Sequence, residues 1–280
     1  MAPKLLRRTL TIAGAAALLT APVAAAKVAA GSKTVTKGSL TATMSWKDSQ
    51  FTTADGAHLK VTRAGTVVFN KDLEKVCQLC GSLGDPKHSV AIRDLAADGT
   101  PEVVADTFSG GAHCCYESII VWFDGYGAAH STVQSWGNGS YLLQQLNGKG
   151  GPEFVTTDDR FAYAFTSYVA SWRPPMVVDW ENNGFVDRTR NYAKRILSDI
   201  HAIDKELPKI RDFDARGAVA ARAADMALLG ISADGIHRWL ERARAKGETS
   251  GPTGYPKGQR FIDRVERYLH VWGYLLNFVS

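Results

Sequence analysis

The chain has 280 residues, 45% of them hydrophobic, and 33 Lys and Arg against 28 Asp and Glu give a formal charge of +5. That length allows two domains of ordinary size, each able to bury a core. Past the N-terminal segment no stretch is long and apolar enough to span a bilayer, which excludes a helical membrane anchor in a processed chain. Charge is divided unevenly: residues 27–187 hold 13 basic and 17 acidic side chains, net −4, and residues 188–280 hold 17 and 11, net +6.

The N-terminus reads as an export signal. Lys4, Arg7 and Arg8 precede an alanine-rich apolar run from Thr9 to Ala26, and Ala24-Ala25-Ala26 suits cleavage. Residues 1–26 are therefore expected to be a signal peptide, and 27–40 a flexible leader. The paired arginines leave a general and a twin-arginine route both open. The expected location is secreted, or the exterior of the cell envelope, an oxidising place.

Residues 41–190 punctuate like a β protein. "HLKVTRAGTVVFN" alternates on both sides of Ala64-Gly65, a hairpin pattern with Leu59 and Val61 opposite Val67 and Phe69. Asp98-Gly99, Asp124-Gly125, Asn138-Gly139 and Asn183-Gly184 mark further turns. Among the apolar runs between them, "SIIVWF" does not alternate and is expected to be covered on both faces. "DGTPEVV" from Asp98 and "KGGPEFV" from Lys149 form an internal repeat about 51 residues apart, a length that suits a four-stranded unit. From Asn191 the period becomes helical: Tyr192, Ile196, Ile200, Ile203 and Leu207 recur before Pro208, which is expected to end that helix. An alanine-rich segment to Leu229, a Ser232-capped helix and a last helix with an aromatic stripe follow, so 191–280 is a helical domain. The fold class is α+β, β-rich and then all-α. An open propeller-blade-like or sandwich-like antiparallel β domain precedes a small helical bundle, because two or three repeats do not close a ring.

"RDLAADGTPEVVADTF" resembles the calcium loop of FG-GAP/VCBS-type repeats. With "GGAHCC" (Gly110–Cys115) and "DDRFAYAFTSY" (Asp158–Tyr168), the stretch from Ala91 to Thr189 is similar to a group of secreted actinobacterial proteins. The resemblance implies weak calcium binding by Asp94, Asp98 and Glu102, with Gly99 permitting the bend. Ala96 departs from the pattern where a third ligand belongs. In the second loop Gln145, Asn147, Lys149 and Glu153 take the corresponding places, with an ammonium where an acid should be.

The four cysteines, Cys77, Cys80, Cys114 and Cys115, point to disulfides in an exported chain. Pairing Cys77 with Cys80 leaves a vicinal Cys114–Cys115 bond, a strained ring. The two other connectivities staple the 77–80 loop to the 114–115 turn and are expected instead. Each would contribute about 3 kcal/mol by closing a loop of about 35 residues. A thiol-redox centre, or a zinc site completed by His113, is the rival. His113, Asp158 and Asp159 are the candidates for acid–base chemistry, which needs them at one cleft. The aromatic run of "RFAYAFTSY" is expected to be strand-like. No nucleophile elbow, zinc-protease motif, P-loop or dinucleotide fingerprint occurs. The expected function is a non-enzymatic binding or scaffolding protein. The basic helical half is expected to meet an anionic envelope polymer, with no DNA specificity. A secreted hydrolase and a thiol or zinc protein are the alternatives.

Overall fold

A computed structural model describes residues 28–50, 53–111, 114–210 and 213–275; of Cys114 it describes the backbone alone. The export signal expected over residues 1–26 lies outside these residues. Among them, no helix is long and apolar enough to cross a membrane.

Thirteen strands and four α-helices are described, β first and α last, as expected for the fold class. The strands form three antiparallel sheets, each a meander in chain order. The first contains β1 (Gly31–Lys37), β2 (Leu40–Lys47), β3 (Ala54–Arg63) and β4 (Thr66–Asp72), with the short β5 (Ser82–Leu83) also pairing with β3. The second runs β6 (Val90–Arg93), β7 (Glu102–Gly111), β8 (Cys114–Phe123) and β9 (Ala129–Gly137). The third runs β10 (Leu142–Gln144), β11 (Glu153–Thr157), β12 (Pro175–Glu181) and β13 (Gly184–Asp187). The helices are α1 (Ala193–Ile210), α2 (Arg216–Leu228), α3 (Ala233–Ala245) and α4 (Gln259–Val271).

The second sheet is the middle layer. Side chains alternate across a strand, so Val103, Ala105, Ile119 and Val121 join the core of the first sheet. Val104 and Ile120 join Phe154, Val178 and Trp180 of the third. Ile119, Ile120 and Val121 are all fully buried, which accounts for the missing alternation in "SIIVWF". The internal repeat becomes geometry: β7 and β11 are each the second strand of a four-stranded meander. Glu102 Oε2 accepts from Leu95 N and Glu153 Oε2 from Leu146 N, both at 2.8 Å and at the same offset. The two loops also touch, since a Cβ on Gly151 would stand 1.8 Å from the Leu95 carbonyl oxygen.

Four local expectations are corrected. Residues 31–37, expected within a flexible leader, form β1 and pair along its length with β2. In the β3–β4 hairpin, Val61 faces Phe69 but Thr62 faces Val67, because a bulge shifts the register. Val67 is exposed as a result. Pro208 sits inside α1, which continues to Ile210. "RFAYAFTSY" is not a strand: residues 159–161 and 168–170 are 3-10 turns, and Tyr163 has a φ of 59°. Phe161 and Phe165 instead reach into the helical core beside Phe261, Val265 and Leu269.

Arg216 and Arg190 fasten the helical half. Arg216 is fully buried and pairs with Asp214 through Nε at 2.7 Å and Nη2 at 2.7 Å. It also donates to the carbonyls of Pro252, Tyr255 and Pro256. Arg190 donates to the carbonyls of Ala227 and Tyr274, tying the end of α2 to the segment after α4.

Candidate ligand-binding cleft

Asp106 and Ser118 stand opposite each other on β7 and β8, next to the buried Val103–Ala105 and Ile119–Val121. Buried polar groups need partners, and these two share a network. Ser118 Oγ donates to Asp106 Oδ1 and accepts from Trp136 Nε1 at 2.8 Å. Tyr141 OH donates to the same carboxylate at 3.0 Å. The Trp136 and Tyr141 rings pack 5.0 Å apart.

Asp106, Trp136 and Tyr141 of this network line a cleft of about 320 Å³, while Ser118 itself is fully buried. Phe108 and Tyr116, paired across β7 and β8 with ring centroids 4.6 Å apart, line one wall. Gly84 lies against Phe108, where a Cβ would come within 3.2 Å of its side chain. At the rim, His88 Nδ1 lies 2.7 Å from Asp85 Oδ2, a contact that holds the Asp85 carboxyl below its usual range. Glu117, also lining the cleft, accepts from Ser135 Oγ at 3.0 Å, and burial pushes its carboxyl up. Burial raises Asp106 to about 6, against the opposing pull of its Ser118 and Tyr141 hydrogen bonds. Burial and the neighbouring Asp106 charge push the Tyr141 phenol up as well. The site thus offers aromatic faces and carboxylate acceptors around a small volume, the general form of a ligand pocket. Ser118 donates to Asp106 and accepts from Trp136, so its hydroxyl is held within the network in both directions.

The cleft abuts the "GGAHCC" turn. β7 and β8 pair up to Gly111 and Cys114, and Cys115 N donates to Ser109 Oγ at 2.6 Å. His113 lies outside the described residues. Cys77 is bonded to Cys80, which corrects the expected staple: neither cysteine is left to reach the 114–115 turn. The Cys77–Cys80 bond also removes two thiolates from the zinc reading.

Asp158 and Asp159 diverge. Asp158 takes the Arg160 side chain, with Nε at 2.8 Å, and Tyr274 OH at 2.6 Å, tying the end of β11 to the turn after α4. Asp159 takes Arg173 Nη1 and Asn138 Nδ2, each at 3.0 Å. Both carboxylates are engaged by cations and donors that hold the fold. In the first loop Asp94 accepts from the Asp98 and Gly99 amides, and Asp98 from Thr100 N at 2.7 Å. Glu102 turns to Leu95 N, and burial pushes it up to about 7. Among the described residues no three His, Cys, Asp or Glu side chains stand together around one point. Asp94, Asp98 and Glu102 therefore do not fit a tight calcium site, which needs several converging oxygens.

The cleft residues Asp106, Phe108, Tyr116, Trp136 and Tyr141, and Ser118 bonded to Asp106, carry no sequence motif. Their one signal is polar Asp106 and Ser118 within runs otherwise destined for burial.

No family model matches the chain, and no solved structure does. Among curated proteins it is 30% identical over 158 residues to a probable thylakoid lumen protein, sll0997, of Synechocystis, covering 54% of this chain and 46% of that protein. It is 30% identical over 95 residues to the uncharacterized protein y4bJ of Sinorhizobium fredii, covering 34% of this chain and 15% of that protein. The chain thus spans less than half the length of each of these relatives.

Proposed function

We propose that this is an extracytoplasmic, non-enzymatic binding protein whose Asp106 cleft holds a small hydroxyl-rich ligand, a neutral saccharide being the class that suits it. The cleft carries this reading: Phe108 and Tyr116 present rings to a sugar face, and Asp106 and Glu117 accept from hydroxyls. The compartment is supported by the export pattern of residues 1–26, by the Cys77–Cys80 bond and by the lumenal name of the Synechocystis relative. The two Glu-capped loops are read as diverged FG-GAP-like units that keep the turn. The hydrolase alternative has less support, because Asp158 and Asp159 are tied to structural partners.

Calorimetric titration with neutral mono- and disaccharides tests the reading. At least one should bind the wild type, and Phe108→Ala should weaken it by about 1 kcal/mol or more through the lost ring. Failure of the whole panel, or binding indifferent to both Phe108→Ala and Asp106→Asn, would refute it.

A further inference from the structure

Six arginines of the helical half contrast in their partners. Arg216, Arg222 and Arg244 are paired with Asp214, Asp204 and Glu241. Arg260, Arg264 and Arg267 have no carboxylate at ion-pair distance among the described residues, yet they share one exposed face of α4. Their spacing puts them in a row about 10 Å long. They line a groove of about 510 Å³ together with Pro256, Tyr268 and Val271. Val271 is 70% exposed, an apolar side chain left open beside the cations. Asp263 is the acidic side chain of that lining, and it accepts from Gln259 Nε2 at 3.0 Å. Arg264 is set against the Phe165 ring, 5.9 Å from its centroid, which limits its freedom.

We propose that the Arg260–Arg264–Arg267 groove of α4 is a docking site for a phosphodiester or polyphosphate strand of the cell envelope. Guanidinium forks match phosphate oxygens in pairs, and three of them in a row meet successive charges of a strand. A lone phosphate is too short to engage all three. The apolar side chains beside them suit the uncharged links between phosphates. The site is independent of the Asp106 cleft, which lies on the β-sheets.

The test is a titration of the full chain with inorganic polyphosphate over a range of salt concentrations. Three contacts predict that log affinity falls against log salt with a slope of about −2. Arg260→Gln with Arg267→Gln should reduce the slope by about 1.4 and weaken binding at least about ten-fold at low salt. Arg238→Gln with Arg242→Gln removes the same charge from α3 and should change neither quantity. These four arginines are exposed, and matching thermal melts would show that both doubles fold. An equal loss in the two doubles would reduce the effect to net charge and overturn the proposal. Absence of binding at low salt would overturn it, as would equal affinity for polyglutamate. Binding to vesicles containing anionic phospholipid but not to polyphosphate would replace the strand with a lipid surface.

Discussion

Asp225→Asn is expected to stabilise the protein at neutral pH. Asp225 lies on α2, fully buried, and neither of its carboxyl oxygens has a donor. Its neighbour is Asp199 of α1, which is within hydrogen-bond reach and already accepts from Trp172 Nε1 at 3.2 Å. Two acceptors face each other, so the contact closes only while one carboxyl keeps a proton. Burial, then the Asp199 charge, pushes Asp225 up to about 9, and burial raises Asp199 as well. Arg222 and Arg195 pull the other way, but Arg222 is engaged by Asp204 at 3.0 Å. The sign follows from linkage. A folded-state pKa above the unfolded one gives full stability below about pH 4, lost as pH rises toward 9. Each pH unit in that window withdraws about 1.4 kcal/mol, so by pH 7 the upper figure is about 4 kcal/mol. Asparagine supplies an N–H to Asp199 without holding a proton. Urea denaturation should show the variant more stable by about 2–4 kcal/mol at pH 7–8, with a flatter profile above pH 5 than the wild type. A variant less stable than wild type at pH 8, or a wild type of constant stability from pH 5 to 8, would refute the shared proton.

Peptide mapping without reductant should recover Cys77 linked to Cys80, and Cys77→Ser should cost about 2 kcal/mol for so short a loop; a peptide joining the 77–80 loop to the 114–115 turn would contradict the fold. Calcium at millimolar concentration should leave the melting temperature within about 1 °C, because Asp94, Asp98 and Glu102 face backbone amides; a saturable rise would restore the calcium reading. Arg216→Ala should destabilise by about 3–5 kcal/mol in chemical denaturation, because Asp214 loses its buried partner; a change under about 1 kcal/mol would show that solvent reaches the carboxylate.

Periodicity made the layered core readable, because burial on both faces leaves a direct trace in composition, as at Ile119, Ile120 and Val121. The repeat was readable for a similar reason: Pro101-Glu102 and Pro152-Glu153 each place a glutamate where it closes a loop. The change to helices after Asn191 followed the shift in apolar spacing. What resisted were features fixed by contacts distant in sequence. The segment 31–37 looks like a polar leader because β1 lies at a sheet edge with nearly every residue exposed. Phe161 and Phe165 alternate like a strand, but the helical core claims them through turns that the alternation does not reveal. Cysteine pairing depended on whether the 77–80 loop approaches the 114–115 turn, and spacing along the chain does not report that. The Asp106 cleft draws residues from β7, β8, β9 and the segment before β10, and only the pairing register brings them to one place.

Ligand binding in the Asp106 cleft has a reporter built into it. Trp136 Nε1–H donates to Ser118 and so reports directly on that network. The Trp136 indole resonance should be followed during titration with the tightest-binding saccharide. A saturable shift, abolished by Asp106→Asn, is the predicted result. Saturable binding that leaves the Trp136 resonance unmoved would place the ligand elsewhere and contradict the account.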